Sequence, residues 1–144
     1  NKNFSQDFLT NSTEKKTVRG LHFQTLPHPQ AKLVRCQRGA ILDISVDLRK
    51  SSPTYLQVSA TNLKEDDWNL LYLPPGVAHG FITLIDNTQT TYKISGKYSP
   101  KHATGINWRD PTLNIDWKVN PSNAVLSEED KNLPNFAEDK VYFP

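Results

Sequence analysis

The sequence predicts an all-β domain, a sandwich or barrel of short strands, followed by an irregular C-terminal arm. Three observations carry this. Apolar and polar residues alternate with a period of two, turn-forming residues recur at short intervals, and 10 prolines accompany little helical signal. The segment 40–49, AILDISVDLR, shows the alternation most plainly: Leu42, Ile44, Val46 and Leu48 point to one side of a strand, and Asp43, Ser45 and Asp47 to the other.

The elements follow in order. Residues 1–16 are polar and read as an N-terminal arm. Strands are expected at 17–24, 31–36, 40–49, 54–62, 68–73, 78–85 and 89–95. Between them lie LPHPQ at 26–30, Arg38-Gly39, KSSP at 50–53, PPG at 74–76 and Asp86-Asn87, all rich in residues that preset or tolerate turn dihedrals. Past Tyr98 the alternation fades, so 99–144 is expected to be an extended C-terminal part. Within it Ser127 precedes Glu128, Glu129 and Asp130, a pattern that caps one short helical turn. A chain of 144 residues is about one domain, here with the barrel strands in 17–98.

Composition narrows the function. Seventeen Lys and Arg against fifteen Asp and Glu give a net charge of +2, too balanced for binding nucleic acid or a membrane through bulk charge. Cys36 is the single cysteine, so an internal disulfide and a Cys-based zinc site are excluded, and a reducing, cytoplasmic setting is expected. No apolar run approaches the roughly 18 residues that span a bilayer. The opening NKNFSQDFLTNST lacks the apolar stretch of a signal peptide and a starting Met, so a processed or trimmed chain is expected.

Several strand faces do not suit a simple sandwich. Gly20, His22 and Gln24 share one face; Lys32, Val34 and Cys36 another; His79, Phe81 and Thr83 a third; Thr90, Tyr92 and Ile94 a fourth. Parity leaves open which faces are inside. Each residue alone has an ordinary reading: a hydrogen-bonded strand histidine, a solvated lysine, a core tyrosine with its hydroxyl at the rim. Together inside a barrel they would be costly unless they bind charge or do chemistry. PPGVAHGF, with His79 after a Pro-Gly turn, resembles half of a cupin metal site. In RGLHFQ, however, Gln24 stands where a second histidine would be, and His28 and His102 fall in turn-like segments, so no metal is expected.

Six blocks then occur in order: RGLHFQ (19–24), AKLVRC (31–36), GAILDISVDLRKSSPTY (39–55), LPPGVAHGF (73–81), YKISGKYSP (92–100) and GINWRDPTLNIDW (105–117). Together they resemble the dTDP-4-dehydrorhamnose 3,5-epimerase family over about Arg19 to Pro134. The resemblance implies a cupin-like jelly roll, a homodimer without metal or cofactor, and a nucleotide-linked 4-keto-6-deoxy sugar as substrate. The C4 ketone acidifies the protons on C3 and C5. A base removes one, the charge moves to the ketone oxygen, and an acid returns a proton from the opposite face. By the same resemblance His22 is the base and Asp130 the carboxylate that orients it. Lys32 stabilises the enolate, Tyr92 is the acid, and Arg19, His79, Gln24, Tyr98 and Gln6 contact substrate.

The match has gaps. The family usually carries an N-terminal segment ahead of the equivalent of Phe4, a glutamate where Ala103 stands and a lysine where Glu129 stands. The two substitutions suggest an altered nucleotide or sugar handle. A sugar 3,4-ketoisomerase of the same fold is the nearest enzyme alternative, and a non-catalytic nucleotide-sugar-binding cupin the nearest non-enzyme.

Overall fold

The structure, a computed structural model, describes residues 3–144; residues 1 and 2 of the expected arm lie outside the described residues. Among the described residues nine strands run in chain order: β1 Phe4–Ser12, β2 Val18–Gln24, β3 Lys32–Arg38, β4 Ala40–Asp47, β5 Val58–Lys64, β6 Leu71–Leu73, β7 Val77–Thr83, β8 Thr88–Ser95 and β9 Ala103–Gly105. They form two antiparallel sheets, β1-β8-β3-β6 and β5-β4-β7-β2-β9. This is the all-β, cupin-like jelly roll. One short helix, α1 Glu128–Lys131, starts at the expected cap, Ser127. No helix among the described residues is long and apolar enough to cross a membrane.

Two stretches differ from expectation. The polar N-terminal stretch holds a nine-residue edge strand, β1, paired with β8 from Gln6↔Ile94 to Ser12↔Thr88. Its inward residues Gln6, Phe8 and Thr10 line a cavity rather than an apolar core, so no apolar stripe marks it. The C-terminal part contributes β9, and residues 54–56 continue the turn of 50–53 where a strand was expected.

The C-terminal chain also forms a layer. Ile106, Trp108, Leu113, Trp117, Phe136, Tyr142 and Phe143 pack on the outer face of the five-stranded sheet, against Leu42, Ile44, Val46, Leu48, Ala78, Ile82, Leu21 and Phe23. Asp110 pins this layer by accepting the amides of Leu113 (2.8 Å) and Phe136 (2.7 Å). Between the sheets a smaller cluster of Val34, Cys36, Ile41, Leu63, Leu73 and Phe81 fills only part of the space. The remainder is a cavity.

Candidate active site

The cavity, about 770 Å³, opens between the two sheets. Every site residue expected from the sequence lines it: Gln6, Arg19, His22, Gln24, Lys32, His79, Tyr92, Tyr98 and Asp130. Strand geometry brings them together. β2 and β7 pair with Val18↔Ile82 and Arg19↔Phe81, then shift register so that His22 faces His79. The shift puts Arg19 and His22, three residues apart, on the same side, which strict alternation would not do. Gly20 sits in the shift with φ +104°. A Cβ there would lie 2.6 Å from the His79 carbonyl oxygen, so only glycine lets the strands approach this closely.

Two His–Asp pairs stand side by side on this sheet. His22 Nε2 lies 2.7 Å from Asp130 Oδ1, with the imidazole 38% exposed to the cavity and the carboxylate buried. Asp130 Oδ1 also accepts the Gly20 amide (3.3 Å), and Oδ2 accepts the Ser127 hydroxyl (2.9 Å). Burial alone would raise the Asp130 carboxyl. The hydrogen bond and charge of His22, helped by Ser127 and the Gly20 amide, outweigh it and hold the carboxyl below its ordinary value.

The second pair is sealed. His79 Nε2 lies 2.7 Å from Asp43 Oδ2, both side chains almost wholly buried, and Asp43 Oδ1 has no hydrogen-bond partner among the described residues. Burial lowers the His79 imidazole below its ordinary value, and Asp43 only partly opposes this. His79 is therefore a neutral ring whose Nε2–H donates to Asp43, and Asp43 is a charge held inside the cavity wall. Asp43 was not among the expected site residues. Alternation placed it only on the polar side of its strand; the available signal was that it shares that face with Ile41, a core residue.

The facing sheet supplies a cation and a phenol. Lys32 Nζ donates to the His22 carbonyl at 3.1 Å. Burial lowers its ammonium to about 8, with Asp43 partly restoring it. Tyr92 sits one strand over, its ring 5.8 Å from that of His79 and 6.3 Å from that of Phe81. Burial raises its phenol above its ordinary value, opposed by a hydrogen bond from Thr10 on β1, so Tyr92 is a neutral O–H at physiological pH. At the rim, Arg19 Nε donates to Ser12 Oγ (3.2 Å), and no carboxylate lies within salt-bridge distance of its guanidinium among the described residues. Gln6 and Tyr98 line both this cavity and a second, more open hollow of about 810 Å³.

Gln24 stands apart from the rest. It is buried in the cavity wall, but its amide is engaged with backbone: Nε2 donates to the carbonyls of His28 (2.6 Å) and Lys97 (3.1 Å), and Oε1 accepts the Ser99 amide (2.8 Å). Ala103 and Glu129, the two positions that depart from the family pattern, also line the cavity. Among the described residues no three His, Cys, Asp or Glu side chains gather as a metal-binding group. Each cavity imidazole already spends its Nε2 on a carboxylate, and His28 packs edge-on against His102 at 5.0 Å. The arrangement as a whole offers a hydrogen-bonded base, a buried ammonium and a neutral phenol around one enclosed space: the parts of a proton-transfer site.

Known proteins match both the sequence and the shape. The profile of the dTDP-4-dehydrorhamnose 3,5-epimerase family matches residues 1–138. A dTDP-4-dehydrorhamnose 3,5-epimerase of Sinorhizobium fredii is 44% identical over 138 residues, covering 96% of this chain and 70% of the relative. The crystal structure of the Bacillus anthracis enzyme of that name, with TDP and PPi bound, has a TM-score of 0.90 at 43% identity, covering 94% of this chain and 76% of the other. An epimerase of Legionella pneumophila in complex with dTDP-4-keto-L-rhamnose has a TM-score of 0.84 at 32% identity, covering 94% and 77%. On this sequence and this fold, the chain belongs to the dTDP-4-dehydrorhamnose 3,5-epimerase family.

Proposed function

We propose that the protein inverts C3 and C5 of a dTDP-linked 4-keto-6-deoxyhexose by enolisation and reprotonation. The observation that carries this reading is the opposition of the Asp130-bound imidazole of His22 on one sheet to the phenol of Tyr92 on the other, with Lys32 beside them. His22 takes the proton from the carbon next to the ketone, and the imidazolium that forms is stabilised by the Asp130 carboxylate. The electron pair moves onto the C4 oxygen, where the buried Lys32 ammonium meets the developing charge. Tyr92 delivers its hydroxyl proton to the opposite face of the same carbon and is reprotonated from solvent, while the His22 imidazolium returns its proton to solvent, which resets the site. Arg19, with its fork uncommitted to any carboxylate, takes the diphosphate. The nucleotide runs past Gln6 and Tyr98 towards the open hollow.

The protein works as a homodimer in the cytoplasm. Dimerisation is supported by the outer face of the four-stranded sheet, where Leu9, Trp68 and Tyr72 are exposed and Trp68 stacks on Arg35 at 4.7 Å. Light scattering would give the oligomeric state. The reaction is tested by proton NMR in D₂O with dTDP-4-keto-6-deoxyglucose, then with its GDP, UDP and CDP counterparts. Loss of the C3 and C5 signals with the dTDP sugar is expected. A folded protein that exchanged neither proton with any of the four would be a binding module instead.

A further inference from the structure

We propose that Ser127 is a positioning residue for the His22–Asp130 pair: its hydroxyl sets the rotation of the Asp130 carboxylate that aims one oxygen at the imidazole. The inference rests on the reading of His22 as the base, and it starts from a helix cap. Ser127 is the N-cap of α1 and Asp130 is three residues on, where an acidic side chain ordinarily reaches back to the N-cap backbone amide. Here the Asp130 amide donates to Ser127 Oγ at 3.1 Å, the usual half of that arrangement. The other half is redirected, because Asp130 Oδ1 goes to His22 and to the Gly20 amide, while Oδ2 meets the Ser127 hydroxyl at 2.9 Å.

The direction of that last bond is fixed by the first. Ser127 Oγ accepts from the Asp130 amide, and a carboxylate oxygen can only accept, so the single hydroxyl proton points at Oδ2. Both oxygens of Asp130 are thus tethered by groups of known polarity: the Gly20 amide on one, the Ser127 hydroxyl on the other. Without the hydroxyl, Oδ2 loses the bond that holds it, and the carboxylate is free to turn about its χ2 torsion away from His22. The cap that starts a four-residue helix is, on this reading, also the clamp on the orienting half of the pair.

The test separates capping from clamping. Glycine at an N-cap costs a helix little, so Ser127→Gly removes the hydroxyl while α1 keeps most of its cap; Ser127→Thr keeps both cap and hydroxyl. With dTDP-4-keto-6-deoxyglucose, Ser127→Gly is expected to lower kcat by about ten- to a hundredfold with KM within about threefold, the loss of a charge-assisted hydrogen bond. Ser127→Thr restores most of it. The second readout is the titration of the His22 ring followed by NMR in the unliganded protein. With the carboxylate turned away, the imidazolium loses its charged partner, and that titration moves to lower pH together with the acidic limb of kcat/KM. The other charged or titratable groups around the pair are Lys32 from β3, His79 and Asp43 from β7 and β4, Arg19 from β2 and Glu129 beside Asp130. None of these is changed by the substitution. An unmoved His22 titration with kcat within twofold of the parent in Ser127→Gly would overturn the proposal and leave Ser127 a cap alone. A shifted titration with parental turnover upholds the hold on Asp130 and instead removes His22 from the role of base.

Discussion

The side chains of Leu42, Ile44 and Val46 on β4, and of Leu48 just past its end, lie beneath the C-terminal chain, whereas Asp43 on β4 lies between the sheets against His79. The same contrast runs through β7, where Ala78 and Ile82 face outward into the apolar layer while His79 and Thr83 face inward. On β2, Leu21 and Phe23 go out, and His22 and Gln24 go in. Both faces of the five-stranded sheet are therefore covered, one by aromatic side chains and the other by a wall of polar groups. The outer layer stabilises through area removed from water, about 25 cal/mol per Å². The inner wall costs stability wherever a charge is desolvated, and it is tolerated because most of its polar atoms have partners. In this sheet stability and chemistry are assigned to opposite sides of the same strands.

The largest expected effect on the inner side is that of His22→Ala. It removes the proposed base and should lower kcat by at least about 10²–10⁴-fold. The imidazole is 38% exposed and belongs to no apolar cluster, so the thermal midpoint should stay within a few degrees of the parent. The mirror experiment is on the outer side. Trp117 is buried, packs edge-on against Trp108 at 6.2 Å, and donates Nε1–H to the Trp108 carbonyl at 2.6 Å. Trp117→Ala should cost about 3–5 kcal/mol of stability, read by denaturant titration, while turnover per folded molecule stays near the parent. Silence of a fully folded Trp117→Ala protein would break the division, because the outer layer would then be shaping the cavity through Gly80, on which Trp117 rests.

Much of this division was legible as alternation and little of it as orientation. Leu42, Ile44, Val46 and Leu48 announced one buried face. Asp43 announced only a polar one, and period two does not distinguish a cavity from solvent. β1 was hidden for the same reason, since its inward Gln6 and Thr10 meet the cavity rather than a core. The outer layer was hidden differently: Trp108, Trp117, Phe136 and Tyr142 are separated by turns and share no period, so their convergence exists only in three dimensions. The residues proposed for the chemistry, from His22 to Asp130, were named through the resemblance that short motifs carry, and they line one cavity.

Asp43→Asn sharpens the comparison with a pH measurement of intermediate size. The Asp43 charge supports the Lys32 ammonium, which burial has lowered to about 8. In the proposed mechanism Lys32 acts in its protonated form, so kcat should fall as pH rises through about 8, the sign expected for loss of a cation that stabilises an enolate. Without the Asp43 carboxylate the ammonium becomes still harder to keep, and the basic limb should move to lower pH. At pH 7 the predicted loss is about ten- to a hundredfold, the size expected when one partner of a buried charged hydrogen bond is removed. A basic limb that stayed in place would mean that Lys32 does not set it.

The smallest expected effect belongs to Gln24, an inward residue whose amide is spent on backbone. Gln24 joins the turn at 26–30 to the 97–99 segment through the His28 and Lys97 carbonyls and the Ser99 amide, and that segment carries Tyr98 to the cavity rim. Gln24→Ala removes all three bonds, so the rim loosens while the reacting atoms stay in place. KM should rise about three- to tenfold with kcat within about twofold. Gln24→Glu is nearly isosteric yet should be worse, because a carboxylate oxygen would face two carbonyl oxygens in place of the donating nitrogen. The pair of variants, compared by steady-state kinetics, distinguishes two uses of an inward polar residue. A rim-holding amide raises KM, and more so as Glu. A side chain touching the reacting carbon would lower kcat in both variants, and Gln24 would then join His22 and Lys32 in the chemistry.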